Sequence, residues 1–285
     1  MPALIFIGKE GVAVENRPLV SVIIPVHNTE KTLARMLTCV REQTWQHLEI
    51  IVIDDGSTDG TLALARETAE QDARITVLAQ ENLGVSSARN AGLNLCRGTF
   101  IYFADGDDTL PPDALERLVL RALRDGAGMV IGGYTEYIGS AARARNRANR
   151  EDTVSIADYL ALLCPDANDL FYGVLWNKLF RRDLTERGKV RFPEALTWGE
   201  DFSFVMTYLQ QVKQVSFLRE SVYGYHRSMG SASVRQVLDC VVHPLSNIRA
   251  KRFLYSRLKA LYTAQGVYGA YRRRLWFYLF RVGLS

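Results

Sequence analysis

Two acidic clusters in the chain stand where predicted strands end. Asp-Asp-Gly-Ser-Thr-Asp-Gly (Asp54–Gly60) follows the apolar run Glu49–Ile53, and Asp-Gly-Asp-Asp (Asp105–Asp108) follows Phe100–Ala104. Carboxylate oxygens are the ligands that hard divalent cations prefer, and magnesium often shares its shell between carboxylates and substrate phosphates. A carboxylate can also accept hydrogen bonds from a base or a ribose. The alternative for both clusters is a polar turn that caps the following helix.

The second cluster should contain a cation. Its three carboxylates repel one another, and no Lys or Arg lies within seven residues on either side. A cationic partner is therefore expected among them.

Three other kinds of ligand site are excluded by their patterns. Asp55, Ser57, Asp59 and Gly60 match the first half of an EF-hand calcium loop, but its twelfth position is Arg66 and a strand precedes it. The first predicted strand is followed by no glycine-rich turn, and no GxxxxGK[ST] loop occurs in the sequence. The sequence therefore argues against a dinucleotide dehydrogenase and against a P-loop NTPase.

The apolar patterning predicts an α/β fold. Buried strands are predicted at Val20–Ile24, Glu49–Ile53, Ile75–Leu78, Phe100–Ala104 and Met129–Ile131, with helical spacing between them. This alternation implies a parallel sheet with helices on both faces, in which ligands lie outside the carboxyl ends of the strands. Both acidic clusters are expected at that edge.

Other segments carry weaker signals. The first strand is expected to end at Pro25, and residues 141–150 are expected to form a basic, polar loop. Gly199-Glu-Asp201 precedes an apolar helical pattern. Its acidic side chains either stabilise the helix through its dipole or supply a general base. His226-Arg227 follows a predicted strand and precedes Gly230-Ser-Ala-Ser233, a composition that suits a diphosphate.

Composition and charge narrow the class of protein. The chain has 285 residues and is 48% hydrophobic, which excludes a fully disordered chain. No run of 18 apolar residues occurs, and the N-terminus does not resemble a signal peptide. The four cysteines are scattered, which favours reduced thiols in a cytosolic protein over a zinc site or disulfides.

The C-terminal segment is strongly basic. Nine of the 35 Lys and Arg residues lie between Cys240 and Ser285, which holds no acidic residue, so the rest of the chain carries a net charge of −5. The segment is either a solvated helical face or an attachment to an anionic membrane surface, where each basic residue adds about 1 kcal/mol. Arg272–Arg281 interleaves arginines with aromatic residues, as interfacial helices do.

Several motifs, in order, resemble glycosyltransferase family 2. The upstream motifs are Val20–Asn28, Ile51–Asp59, Asn82–Gly92 and Tyr102–Asp108. Downstream, Trp176–Arg182, Arg191–Pro193 and Gly199–Asp201 resemble the acceptor-side half of bacterial polysaccharide and lipopolysaccharide members.

The resemblance implies a GT-A fold and an inverting transfer from a nucleotide-sugar, usually a UDP-sugar, to an acceptor hydroxyl. It divides the chain into a leader (1–18), a GT-A domain (19–233) and a basic helical extension (234–285). Within the domain, residues 19–133 would form the nucleotide-sugar half and residues 134–233 the acceptor half.

The resemblance also assigns the nucleotide site. Pro25 and Asn28 would line the nucleotide pocket, and Asp55 would meet the base. Arg89 would be a further nucleotide-side contact, and Asp105 would lie beside the nucleotide as well as the metal.

The remaining assignments concern the chemistry. Asp105 and Asp107 would form a DxD pair, with Asp107 the direct ligand of Mn²⁺ or Mg²⁺, and Asp201 would be the base that deprotonates the acceptor. His226 or Arg227 would contact the diphosphate, although members of the family often carry Arg in this segment.

The predicted partners are a UDP-sugar donor and a glycan or lipid-linked acceptor in surface polysaccharide synthesis. The predicted location is the cytoplasm, with attachment to the inner face of the membrane through residues 249–281. A catalytically silent nucleotide-sugar or glycan binding module on the same fold is the first alternative. Nucleic-acid binding by the basic segment is a weaker one, because the body of the chain is acidic and shows no motif for that role.

Overall fold

The computed structural model describes residues 6–7, 12–13, 17–167, 169–196, 198–227 and 244–279. A short hairpin is formed by β1 (Phe6–Ile7) and β2 (Val12–Ala13). The other strands are β3 (Val20–Val26), β4 (Leu48–Asp55), β5 (Ile75–Gln80), β6 (Phe100–Phe103), β7 (Met129–Ile138), β8 (Ala141–Arg145), β9 (Thr153–Ser155), β10 (Lys178–Arg181) and β11 (Gln214–Arg227). Within the described ranges these nine form one sheet in the order β5-β4-β3-β6-β10-β7-β11-β9, with β8 paired to β7.

Helices connect most of the strands. They are α1 (Glu30–Arg41), α2 (Thr61–Gln71), α3 (Val85–Leu95), α4 (Ala114–Asp125), α5 (Ile156–Leu163), α6 (Leu170–Gly173), α7 (Arg182–Arg187), α8 (Glu200–Tyr208), α9 (Pro244–Ala264) and α10 (Tyr268–Trp276). Short 3₁₀ turns follow α5, α8 and α10 at Cys164–Asp166, Leu209–Gln211 and Phe277–Leu279.

The N-terminal half of the sheet is parallel, which confirms the α/β prediction. Strands β5, β4, β3 and β6 lie side by side in parallel register. Every residue of β3, β4 and β6 is buried, as expected for strands covered on both faces. Their carboxyl ends meet at one edge, and both acidic clusters follow them there.

The other half of the sheet is mixed. Strand β10 runs antiparallel between β6 and β7, whereas β7 and β11 are parallel to each other. Strands β8 and β9 add antiparallel edges to β7 and β11. The sheet thus joins a parallel N-terminal half to a mixed C-terminal half.

Two local expectations were wrong. Strand β3 does not stop at Pro25 but continues to Val26, with Pro25 paired to Ile53 of β4. On the side facing β6, the last register pair of β3 joins Ile23 to Phe103. Pro25 lies beyond that pair, so its lack of an N–H costs no hydrogen bond to β6. The segment expected as a loop from residue 141 instead forms β8, because it extends the β7 hairpin.

The leader and the C-terminal extension are more structured than expected. The leader contains the β1–β2 hairpin. Helix α9 buries an apolar face that includes Leu254 and Leu258, and the hydroxyl of Tyr262 donates to the carbonyl of Leu160 at 2.6 Å. Tyr278 stacks on Phe202 of α8 with ring centroids 5.5 Å apart. The basic helices therefore belong to the same core, and the boundary after residue 233 stays a prediction.

Two further observations concern the cysteines and the helices. Among the described residues, Cys39, Cys96 and Cys164 form no disulfide, and Cys240 lies outside the described ranges. Among the described helices, none has both the length and the apolar character needed to cross a membrane.

Candidate active site

The loop after β3 contacts the loop after β4. Asn28 adopts a left-handed backbone (φ 53°), and its side-chain oxygen accepts from the backbone N–H of Thr58 at 2.8 Å. The Nδ1 of His27 lies 2.8 Å from the carbonyl oxygen of Asp55, so Nδ1 must carry the proton. These bonds bring the predicted pocket residues Pro25 and Asn28 next to the first acidic cluster.

Asp55 orders a neighbouring loop. Its buried carboxylate accepts three hydrogen bonds, from the side chain of Gln80 at 2.8 Å and from the backbone N–H groups of Leu83 and Gly84 at 2.9 and 2.8 Å. Gly84 has φ +91°, which favours glycine. Asp55 therefore fixes the 82–84 turn, and its contact with a base stays a prediction.

The second acidic cluster is tied to β11. The buried carboxylate of Asp108 accepts from the hydroxyl of Tyr223 at 2.8 Å and from the backbone N–H of His226 at 2.7 Å. Burial raises the pKa of Asp108 well above its usual range, and the charges of Asp107 and Asp105 add to this. Asp108 thus positions the loop, while Asp105 and Asp107 stay partly exposed at the strand ends.

The cations expected near this cluster come from two distant helices. The guanidinium of Arg35 in α1 donates to the carbonyl oxygen of Asp107 at 2.5 Å. From α3, Arg89 donates through Nη2 to Oδ1 of Asp105 at 3.1 Å. The cationic partners of the cluster are therefore supplied by residues far away along the chain, and they offset its charge repulsion only in part.

Arg89 also joins the acidic loop to α8. Its side chain is only 5% exposed, and its Nη1 donates to Asp201 Oδ1 at 2.7 Å and to Glu200 Oε1 at 3.3 Å. Burial alone would lower the pKa of Arg89, but the carboxylates of Asp201, Asp105 and Glu200 raise it above its usual value. The structure places this predicted nucleotide-side residue among three carboxylates, between the DxD pair and the predicted base.

Asp201 has the properties of a general base. It lies in the first turn of α8, which starts after Gly199 in a left-handed conformation (φ +75°). Burial raises the pKa of Asp201 to about 7; Arg89 opposes this rise, whereas the charges of Glu200 and Asp105 add to it. A pKa near the working pH is what an efficient proton acceptor needs.

Lys178 and Glu200 are site residues that the sequence reasoning missed. Lys178 is completely buried, and its ammonium donates to the carbonyls of Phe171 and Val174 and to the side-chain oxygen of Asn177, at 2.8, 2.6 and 2.8 Å. Burial lowers its pKa well below the usual value, although the charge of Asp201 opposes this. The available signals were the Trp176–Arg182 motif for Lys178 and direct adjacency to Asp201 for Glu200.

His226 and Arg227 separate to opposite faces of β11. The Nε2 of His226 lies 3.0 Å from the hydroxyl of Thr109, and its ring stacks on Tyr137 with centroids 4.6 Å apart. Burial lowers the pKa of His226, and the charge of Arg35 adds to this. Arg227 instead pairs with Glu136 at 3.5 Å. Residues 230–233, the rest of the expected diphosphate segment, lie outside the described ranges.

The donor set fits a divalent cation that shares its shell with substrate. The described residues contain no group of three or more His, Cys, Asp or Glu arranged to hold a metal. Asp105 and Asp107 supply two carboxylates, and magnesium needs only one or two when phosphates complete the shell. Burial raises the pKa of Asp107, and the charge of Asp105 adds to this rise, a strain that a bound cation would relieve.

Comparison with known proteins agrees with this geometry. The sequence model for glycosyl transferase family 2 matches residues 21–188. The uncharacterized glycosyltransferase EpsJ of Bacillus subtilis is 33% identical over 219 residues, which span 75% of this chain and 62% of EpsJ. The chain thus spans less than two thirds of this relative's length.

Two groups of solved structures share the fold. Staphylococcus aureus TarS 1-349 in complex with UDP-GlcNAc superposes with a TM-score of 0.70 at 22% identity, covering 84% of this chain and 66% of TarS. The Pyrobaculum calidifontis mannosyltransferase PcManGT, in complex with GDP-Man and Mn²⁺, gives 0.60 at 20% identity, covering 90% of this chain and 76% of that chain. The chain belongs to glycosyltransferase family 2 and has the GT-A fold.

Proposed function

We propose that this protein transfers a sugar from a nucleotide-sugar, a UDP-sugar, to a hydroxyl of a glycan or lipid-linked acceptor, with inversion and with a divalent cation. The product would be a surface polysaccharide. One observation carries the proposal: Arg89 contacts Asp105 at 3.1 Å and Asp201 at 2.7 Å, which brings the DxD loop and the base to one place. Two fold neighbours, TarS and PcManGT, support a nucleotide-sugar donor, and PcManGT supports manganese.

Asp201 would take the acceptor proton. Arg89 engages its Oδ1, and no hydrogen bond from the described part of the chain engages Oδ2. We therefore assign Oδ2 as the atom that accepts the proton as the acceptor oxygen attacks the anomeric carbon. A single displacement from the face opposite the leaving group needs one base and no covalent intermediate, and so inverts the configuration.

Asp105 and Asp107 would hold Mn²⁺ or Mg²⁺, which neutralises charge on the departing nucleoside diphosphate. The imidazole of His226 lies 3.0 Å from the hydroxyl of Thr109, just after the loop, and is proposed as a hydrogen-bonding contact to the diphosphate. Arg227 is the weaker candidate for that contact. Its side chain lies on the other face of β11 from His226, where it pairs with Glu136 of β7.

Turnover of the donor tests the proposal against a silent binding module. Release of nucleoside diphosphate from UDP-sugars and GDP-Man would be measured with Mn²⁺, for the wild type and for Asp201→Asn. Loss of a positioned base should lower the rate about 10²–10⁴-fold. Asp183→Asn is the matched control, because Asp183 is half-exposed and pairs only with surface arginines. No turnover of any donor by a wild type that binds UDP would establish the silent module instead.

We also propose that the C-terminal helices attach the enzyme to an anionic membrane. Trp276 and Phe277 are 51% and 56% exposed, next to the exposed Arg272, Arg273 and Arg274. Exposed aromatic residues beside arginines are typical of interfacial helices.

Flotation with vesicles of phosphatidylcholine and phosphatidylglycerol tests this attachment. We expect binding that weakens with salt and is lost in Trp276→Ser/Phe277→Ser. The control Leu95→Ser removes an exposed apolar side chain elsewhere on the surface and should bind as the wild type does. A wild type that stays with the unbound fraction at low salt would refute the proposal.

A further inference from the structure

A cleft of about 390 Å³ lies between the β7–β8 hairpin and α6. Its size falls within the range of small-molecule sites, about 300–1,000 Å³. The lining residues that carry its chemistry are Tyr134, Arg143, Arg145, Arg147, Phe171 and Arg227. None of them belongs to the DxD loop or to the loops around Asp55.

The hairpin register places the arginines side by side. In the antiparallel β7–β8 pair, Tyr134 lies opposite Arg145 and Glu136 lies opposite Arg143. Because alternate residues of a strand share a face, these four side chains project to the same side. Arg147 follows directly after β8 on this side of the cleft. The alternation of arginine with alanine in β8 thus builds a row of guanidinium groups.

The arginines of the cleft carry more positive charge than the carboxylates beside them neutralise. The carboxylate of Glu136 is shared, with Arg145 at 2.7 Å and Arg227 at 3.5 Å. Arg147 pairs with Asp166 at 2.7 Å and with Asp169, which also lines the cleft, at 3.7 Å. Arg143 is exposed and forms no ion pair with any described residue. An anionic ligand would therefore meet at least one guanidinium that lacks a carboxylate partner and another that shares one.

Aromatic rings connect the cleft to the active site. Tyr134 packs edge-on against Trp176 at 4.8 Å between centroids, and Trp176 stacks on Tyr223 at 4.6 Å. The hydroxyl of Tyr223 donates to Asp108 in the acidic loop. On the other side, the carbonyl of Phe171 accepts from Lys178, whose charge acts on Asp201. Packed side chains therefore lead from the cleft to the acidic loop through Trp176 and Tyr223, and to Asp201 through Lys178.

We infer that this cleft binds an acidic sugar unit of the acceptor, with a carboxylate or phosphate group on Arg143 and its neighbours and the sugar ring against Tyr134 and Phe171. This inference rests on the proposed function, since it names the acceptor class for the same site. The planar fork of arginine pairs with either oxyanion through two parallel hydrogen bonds.

Ligand-observed NMR titration tests the inference with three probes: glucuronate, glucose 6-phosphate and glucose. We expect the wild type to bind at least one anionic sugar tenfold or more tightly than glucose. Binding of glucuronate alone identifies a uronic acid, and binding of glucose 6-phosphate alone identifies a sugar phosphate. Glucose binding as tightly as both anionic sugars, or no binding of either anionic sugar, would overturn the inference.

Two variants locate the binding. Arg143→Gln/Arg147→Gln should lose tenfold or more in affinity for the anionic sugar. Arg187→Gln removes an exposed arginine remote from the cleft and should not. Melting temperatures within about 2 °C of the wild type establish that the variants fold. Unchanged affinity in the double variant would place the ligand elsewhere and refute the inference.

The NMR titration contains no nucleotide-sugar, so its result does not depend on whether the enzyme turns over a donor. A wild type that releases no nucleoside diphosphate but binds glucuronate through these arginines would refute the proposed transferase and leave an acidic-glycan site. A wild type with turnover but without acidic-sugar binding would refute only the cleft.

Discussion

Replacing Arg89 with methionine should destabilise the protein strongly. The guanidinium is 5% exposed and is the shared partner of Asp105, Glu200 and Asp201 at 3.1, 3.3 and 2.7 Å. Methionine keeps much of the volume but leaves three carboxylates facing one another. Removing one partner of a fully buried ion pair costs about 3–5 kcal/mol, and the three carboxylates left here are 18–32% exposed, so we expect a cost of about 2–4 kcal/mol.

The expected effect on the melting temperature follows from that cost. For a chain of 285 residues, 1 kcal/mol shifts the melting temperature by about 2–4 °C, so Arg89→Met should melt about 4–16 °C lower. The control Arg187→Met breaks only an exposed pair with Asp183 and should change stability by less than about 1 kcal/mol.

The stability lost in Arg89→Met should depend on pH. With Arg89 present the pKa of Asp201 is raised to about 7, against 3.8 for an ordinary aspartate side chain, and losing the guanidinium raises the pKa further. Native Asp201 then binds a proton at pH values where the unfolded chain does not, so stability increases as pH falls from 8 to 5. The deficit of Arg89→Met should be larger at pH 8 than at pH 5.

A double-mutant cycle tests the cause. Asp201→Asn removes one of the three charges, so it should restore part of the stability of Arg89→Met, with a coupling of about 0.5–3 kcal/mol. Thermal melts of the four proteins at pH 5 and pH 8 measure this. A melting temperature for Arg89→Met within 2 °C of the wild type at pH 8, or no coupling with Asp201→Asn, would refute the reasoning.

Three further outcomes are expected. Lys178→Met should destabilise the fold by about 3 kcal/mol or more in denaturant titration, since three buried acceptors lose their donor. If Lys178→Arg were as stable as the wild type, the site would not be fitted tightly to an ammonium group. Gly199→Ala should lower both stability, by about 1–3 kcal/mol, and turnover, because the backbone has φ +75° and a Cβ would lie 2.5 Å from Leu254; a companion Leu254→Ala should relieve only the clash. With the pKa of Asp201 at about 7, kcat/KM should fall about tenfold per pH unit below that value, because only the ionised carboxylate accepts a proton; a flat profile from pH 5 to 8 would exclude Asp201 as the base.

The parallel half of the fold could be predicted from the sequence because its strands are short, continuous apolar runs. Such runs, buried on both faces, identify strands such as β3 and β4 without reference to their partners. Strand β8 could not be predicted in this way. Its Ala-Ala-Arg-Ala-Arg sequence is mostly exposed and extends only because β7 supplies a ladder.

The candidate site was predictable where its residues lie in local motifs and was not where it depends on packing. Asp105, Asp107 and Asp201 stand at strand and helix ends, which the sequence marks. The contact of Arg89 with Asp201 spans 112 residues, and nothing local to Arg89 signals it. Burial of Lys178 is likewise a product of the fold, since an isolated lysine in an apolar motif is ordinarily expected to reach solvent.

The central claim is a nucleotide-diphosphate and metal site at the carboxyl ends of β3, β4 and β6, and a thermal-shift titration tests it most directly. UDP, GDP, CDP and dTDP would be titrated with and without Mn²⁺, for the wild type and Asp107→Asn. At one hundred times Kd a ligand adds about 2.7 kcal/mol, which here raises the melting temperature by about 5–10 °C. We expect that rise with UDP and Mn²⁺ together in the wild type, and its loss in Asp107→Asn. No shift with any of the four nucleotides, or an equal shift without metal and in Asp107→Asn, would contradict the account.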